Sequence, residues 1–179
     1  MSDGNERRLD GAHPGAEAAA LPAPEREVER ALLDAARLLP EQDVLVLGGG
    51  SLALGAHELV GDGWVYVVRS QVDELEELLV EAHAVGASGV AYLVGAAPVL
   101  PLPDSAVAAA LGRIATDNGA LVAAAEELAR VLSAGGRVAF AEPDRAAGDE
   151  LSRSLAAAGF EEVEVAEAGG EAVVSGHLP

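Results

Sequence analysis

VLVLGGGSLALG, residues 44–55, is the stretch on which the reading of this chain turns. An apolar run, Val44 to Leu47, passes directly into Gly48, Gly49 and Gly50. A continuous apolar run bounded by glycine suits a strand covered on both faces, as central strands of parallel sheets are. Glycines at its end suit a tight turn where backbone approaches a ligand or another element closely.

Working outward, the pattern alternates. Upstream, a helix is expected from about Pro24, with Val28, Leu32, Ala35, Ala36 and Leu39 at helical spacing and Pro40 ending it. Downstream, WVYVV (64–68) reads as a strand, 72–84 as an acidic helix, and GVAYLV (89–94) as a third strand. Ala106 to Ile114 reads as a fourth strand, Gly119 to Leu132 as a helix and Gly136 to Ala141 as a fifth strand. Asp149 to Ala158 reads as a helix. Phe160 to Ala166 and Glu171 to Ser175 read as two final strands joined through Gly169-Gly170, which suits a hairpin. Such alternation implies an α/β fold with helices on both faces of a mostly parallel sheet. The last two strands lie too close for a crossover, so one of them should run antiparallel.

The bulk properties fit one domain. The chain has 179 residues, half of them apolar, and only 3% aromatic, so its core is built from Ala, Val and Leu. Residues 1–22 are rich in Gly, Ala, Pro and charge and are expected to form a disordered tail, leaving 23–179 as the domain. The net charge is −19, and all 11 basic residues are arginine. A surface so acidic repels phosphate backbones and anionic lipid, which argues against direct nucleic-acid or membrane binding. With no cysteine, disulfides, thiolate metal sites and a cysteine nucleophile are excluded. No signal peptide or run of roughly 18 apolar residues is apparent, so a cytoplasmic protein is expected.

Several landmarks carry a resemblance. VLVLGGGSLALG (44–55) looks like a first strand and glycine-rich turn. LPLPDSAVAAAL (100–111) resembles "LPFPDGSFDAVL", the approach to a fourth strand. ELARVLSAGGRVAFAEP (127–143) resembles "RVLKPGG" leading into a fifth, and LAAAGFEEVEV (155–165) a helix, Gly-Phe turn and sixth strand. Together, over roughly residues 25–176, they resemble the class I S-adenosylmethionine-dependent methyltransferases, of the small type related to ubiquinone and menaquinone methyltransferases. The resemblance implies a Rossmann-like, seven-stranded sheet with an antiparallel C-terminal strand. It also implies a cofactor site at Gly48, Gly49, Gly50, Arg69 and Ala96.

That site departs from the family pattern. The acid expected two residues before the first glycine is Val46. The last glycine of the turn falls on Leu52, whose side chain would crowd the methionine end. The acid that grips the ribose hydroxyls is replaced by Arg69, which has no acceptor to offer. The Asp near the adenine amine is Ala96, and the Asp of the "FD" pair is Ala108. The implied function is a non-catalytic pseudo-methyltransferase that binds no S-adenosylmethionine productively. It would serve as a structural or regulatory subunit, paired with an active methyltransferase as a heterodimer or with itself as a homodimer. An active small-molecule methyltransferase with unusual ligand contacts is the alternative. A third reading takes Gly48 to Ala53 as G-x-G-x-x-A, with Arg69 on the 2′-phosphate of NADP.

Other residues carry paired expectations. His57 is either a general base or a solvent-facing or capping histidine; His83 is expected on the surface and His177 in the tail. Glu142-Pro143-Asp144 is either the remnant of a substrate loop or an ordinary strand-end turn. Asp73, Glu74, Glu76, Glu77 and Glu81 form a solvated face or an acidic docking surface. Trp64 and Tyr66 share a face; an exposed Trp64 would mark an interface. No histidine pair has metal spacing, so no metal is expected.

Overall fold

Val44 to Leu47 forms β1, and side chains alternate across it. Leu45 and Leu47 enter one core cluster, Val44 and Val46 another, on the opposite face of the sheet. This is why the run is apolar at every position. The computed structural model describes residues 22–71, 88–114 and 120–179. The expected tail, but for Pro22, and the acidic helix with its five carboxylates and His83 lie outside the described residues.

The remaining strands are β2 (Val65–Arg69), β3 (Val90–Val94), β4 (Val107–Gly112), β5 (Leu132–Glu142), β6 (Glu161–Ala168) and β7 (Glu171–His177). They form a seven-stranded sheet in the order β3-β2-β1-β4-β5-β7-β6. β1 to β5 pair in parallel, and β7 runs antiparallel between β5 and β6. The expected mixed α/β sheet is thus present. An all-parallel 3-2-1-4-5-6 dinucleotide sheet is not, because β7 is inserted antiparallel beside β5.

The described helices are α1 (Ala23–Ala36), α2 (Gly50–Val60), α3 (Leu121–Val131) and α4 (Arg145–Ala157). α1 and α2 bury Val28, Leu32, Ala53 and Val60 on the face that holds Val46. α3 and α4 bury Leu121, Leu128, Leu151 and Leu155 on the face that holds Leu45. Helices therefore cover both faces, as strand–helix alternation requires.

Several boundaries differ from the sequence reading, four of them for reasons the structure shows. α1 ends at Ala36 because Arg37 turns left-handed, so Leu39 falls outside the helix and is 59% exposed. β5 begins at Leu132, where pairing with Val107 replaces the helical turn. α4 begins four residues early. Asp144 caps it by accepting the Ala147 amide at 2.9 Å, so the residue is a helix cap rather than a free turn. Gly148 inside α4 is set by packing: a Cβ there would meet that of Ala172 at 2.8 Å. His177 is not in a tail but in β7, with Nδ1 3.7 Å from Glu162.

Two of the sequence landmarks prove to touch each other. Glu127 accepts the Leu100 amide at 2.8 Å, and Arg130 donates to Glu127, Asp104 and the Leu100 carbonyl. The Arg130 guanidinium holds the Glu127 carboxyl below its ordinary range. The α3 motif thereby pins the loop that leads into β4.

Candidate functional site

In a parallel sheet the strand ends that carry function are the carboxyl ends. Here they are Leu47, Arg69, Val94, Gly112 and Glu142. Because β7 runs antiparallel, its first residue, Glu171, joins that edge: Ala172 pairs with Glu142.

Gly48 leaves β1 with φ +123, a conformation that favours glycine. Gly49 caps α2 and Gly50 is its first residue. Two cavities flank this turn. One, of about 320 Å³, is lined by Gly48, Gly49, Val68, Arg69, Ala96 and Arg113, among others. The second, of about 380 Å³, is lined by Glu25, Glu29, Ser51, Leu52, Arg113 and Glu171, among others. They share Leu47, Gly49 and Arg113, so they form one trough over the turn. A larger cavity of about 460 Å³ lies between the end of α1 and the β6–β7 hairpin. It includes none of the glycine turn, and the chemistry favours the trough.

The expected site residues divide. Arg69 and Ala96 line the first cavity beside the glycines. Leu52 lines the second, yet it is 4% exposed and packs in the core. Val46 is fully buried in the core and reaches neither cavity. Ala108 lies at the opposite end of the sheet. Its amide donates to the Asp43 carbonyl, and four residues of strand, roughly 13 Å, separate it from Gly112. An acid at 108 would not reach a ligand in the trough, so that supposed loss is not a cofactor-site change. His57 is also misplaced for catalysis. It sits in the last turn of α2, away from the glycine turn, where its ring lies beside Gly89.

Arg113, Glu171, Glu29 and Ser51, which the sequence reading did not single out as site residues, also line the trough. Arg113 follows β4, and both its terminal nitrogens donate to Glu171, with Nη2–Oε1 at 2.9 Å. That hydrogen bonding raises the Arg113 pKa, so the guanidinium stays charged. Glu29 accepts from the Ser51 hydroxyl. Glu142, which the sequence reading placed in a substrate-loop remnant or strand-end turn, ends β5 and lines neither cavity; it is 9% exposed, and no described group hydrogen-bonds its Oε1.

Burial pushes the Glu142 carboxyl up to about 7; Arg113 opposes the shift, and Asp144 and Glu171 add to it. Between its ordinary value of 4.5 and about 7 the carboxyl is protonated only when the chain is folded. Stability should therefore fall as pH rises through that window, by on the order of 1–3 kcal/mol. Denaturant titrations at pH 5 and pH 7.5 check this, with Glu142→Gln as the variant expected to flatten the difference. An equal slope in that variant would remove Glu142 as the cause.

The architecture agrees with known structures. A S-adenosylmethionine-dependent methyltransferase from Aquifex aeolicus superposes with a TM-score of 0.72 at 21% identity, over 86% of this chain and 90% of that one. The fold is that of the S-adenosylmethionine-dependent methyltransferases. A precorrin-6y C5,15-methyltransferase from Geobacter metallireducens gives 0.71 at 18% identity, over 85% of this chain and 88% of that one. A complex between the Haloferax volcanii Trm112 methyltransferase activator and a putative methyltransferase gives 0.71 at 16%, again over 85% and 88%. At these identities the likeness is one of fold. No family model and no curated protein matches the sequence.

The methyltransferase fold implies S-adenosylmethionine, and the trough tests that implication. Among the described residues its nucleoside side is lined by no carboxylate, and the charged side chains there are Arg69 and Arg113. Ribose hydroxyls and an adenine amine are donors that need acceptors, and a guanidinium has none. A sulfonium cation gains nothing beside two guanidinium groups. The described residues on this side do not fit the cofactor. Among the described residues no group of three or more His, Cys, Asp or Glu is placed to hold a metal ion. None of the helices there is long and apolar enough to cross a membrane.

Proposed function

We propose that this chain is a pseudo-methyltransferase: a methyltransferase-fold subunit that does not bind S-adenosylmethionine productively and acts through its surface on a protein partner. The observation that carries the reading is Arg69, a guanidinium lining the nucleoside side of the trough at the position where the resemblance places the acid that grips the ribose hydroxyls. The motifs at 100–111 and 127–143 support descent from the small ubiquinone- and menaquinone-type enzymes. A partner is favoured by the complex of a like-folded protein with a methyltransferase activator, and by Trp64. This tryptophan is 47% exposed, as are Leu39 at 59% and Leu59 at 48%. All three precede strands or end α2, at the pole opposite the glycine turn. An active methyltransferase is the partner we propose, in a heterodimer, with a homodimer as the alternative; the setting is cytoplasmic.

A second reading, an active small-molecule methyltransferase, draws on the open trough and on Glu25 and Glu29 at its far end. Calorimetric titration separates the two. S-adenosylmethionine and S-adenosylhomocysteine are expected to give no heat up to millimolar concentration, about 4 kcal/mol of binding. Micromolar binding of either would establish the second reading instead. Trp64, the sole tryptophan, should shift its emission to the blue when the partner covers it.

A further inference from the structure

β6, the outermost strand at its end of the sheet, is covered on one face only. α4 packs on that face through Leu151 and Leu155, against Val163 and Val165. Glu162, Glu164 and Ala166, which alternate with those valines, are exposed. α1 meets the hairpin at its turn, where a Cβ on Gly169 would come 2.3 Å from the Pro24 carbonyl oxygen. Toward the end of α1 a groove of about 460 Å³ opens between helix and strand. In an α/β layer, a strand face left open over such a recess is a surface that another chain can cover.

The lining narrows what fits. Four acids border the groove: Asp34 from α1, and Glu162, Glu164 and Glu167 from β6. Arg37 and Arg137 border it too. Arg137 pairs in register with His177, whose Nδ1 is 3.7 Å from Glu162, so that cation belongs to the end away from the hairpin turn. Glu164 and Glu167 lie nearer the turn and are in no ion pair among the described residues. The acids are too dispersed for a metal ion, since no group of three described His, Cys, Asp or Glu is placed to hold one. Dispersed carboxylates suit dispersed cations. Between them the walls are small: Ala31 and Ala35 on the helix, Ala166 and Ala168 on the strand. Glu162, Glu164, Ala166 and Ala168 recur every second residue, which is the period of an extended chain. The whole molecule carries −19, so charge alone does not select this place; the recess and the uncovered strand face do.

We propose that this groove docks an extended, basic segment of a partner protein, with lysine or arginine at alternate positions facing Asp34, Glu164 and Glu167 and small residues against the alanines. Complementary charge across the groove sets the register and the rate of encounter, and the recess sets the place. The surface is separate from the trough, so the proposal goes beyond the reading above and holds whether or not the trough binds S-adenosylmethionine.

The test is a calorimetric titration of the full chain with a peptide of alternating lysine and alanine, blocked at both ends and matched to the 8 residues of β6. Salt of about 0.15 M screens charges more than about 8 Å away, so the molecule's general charge contributes little. The peptide is expected to bind below about 1 mM. Asp34→Asn with Glu164→Gln and Glu167→Gln should weaken it roughly tenfold or more. Glu58→Gln with Asp62→Asn and Glu126→Gln removes as many charges from exposed positions outside the groove, and should change the affinity by less than about threefold. Ala166→Tyr keeps every charge but fills the groove, and should also cost roughly tenfold or more. All the substituted positions are exposed, so each variant should melt within about two degrees of the parent. No binding below 1 mM would overturn the proposal. So would equal losses in the two triple variants, which would leave only general charge attraction, or indifference to Ala166→Tyr. A parent that sediments as a dimer, and that Ala166→Tyr turns into a monomer, would overturn it as well, because a second copy of the chain would then fill the groove.

Discussion

Gly112→Ala is expected to be the most damaging single methyl group that can be added beneath the trough. Gly112 ends β4 beside the end of β1 with φ +130, where an L side chain is strained. A Cβ there would lie 1.9 Å from the Leu47 carbonyl oxygen and 2.8 Å from its carbon. Neither partner has room to yield. Leu47 is paired on its other side with Val68, and its oxygen already accepts the Arg113 amide at 2.8 Å. Backbone strain of this kind costs about 1–3 kcal/mol by itself. Displacing a central strand brings the total above about 4 kcal/mol, a large part of the 5–15 available to a domain. For a chain of this size that corresponds to a fall in melting temperature of roughly 10 °C or more, or to failure to accumulate as folded protein. Gly135→Ala is the matched control: φ is +77, but nothing lies within 4 Å of the added Cβ. It should cost only about 1 kcal/mol. Circular dichroism melts of both variants decide the point. A Gly112→Ala protein melting within two degrees of the parent would show that the β1–β4 contact is not close.

The second large effect is a gain. Arg69→Asp combined with Ala96→Asp places a carboxylate at each lining position of the nucleoside side that the resemblance assigns to an acid. Both residues line the same cavity, and Arg69 is half-buried at a strand end where either side chain fits the backbone. Each charge-assisted hydrogen bond regained is worth about 1.5–3 kcal/mol. Removing a guanidinium also relieves repulsion toward a cationic ligand. S-adenosylmethionine should therefore bind the double variant at least tenfold more tightly than the parent, reaching dissociation constants below about 1 mM. Calorimetry reads this directly. A folded double variant that binds no better than the parent would mean that Arg69 and Ala96 are not what keeps the cofactor away. Leu52, at the methionine end, would be the next position to change.

The fold was legible because its signals are local. A continuous apolar run before glycines, as at Val44 to Leu47, has few structural outcomes, and Gly169-Gly170 between two alternating strands has fewer. The boundaries at Ala36, Leu132 and Arg145 were less so. Each is decided by one backbone choice, a left-handed Arg37, a ladder contact to Val107 or a cap from Asp144, which competes with a helical pattern running past it.

The site was legible in part. That Gly48, Gly49, Arg69 and Ala96 lie together at one cavity could be foreseen because strand ends and the turn after them can be counted along the chain. Ala108 was misplaced because a motif match gives position in the sequence, not which end of a strand faces the ligand. Arg113 and Glu142 carried a signal, since each stands at the carboxyl end of a strand. Glu171 carried none.

What the sequence by itself determined is the alternation of strand and helix, the two-faced core of small apolar residues and the glycine turn. These follow from periodicity and steric limits within a few residues of each other. Which charges meet was decided only by the tertiary structure. Parallel crossovers carry Arg69 and Arg113 to either side of β1, and the antiparallel return of β7 carries Glu171 to the same edge. Electrostatics acts through space, so the chemistry of the trough exists only once strands remote in sequence lie side by side.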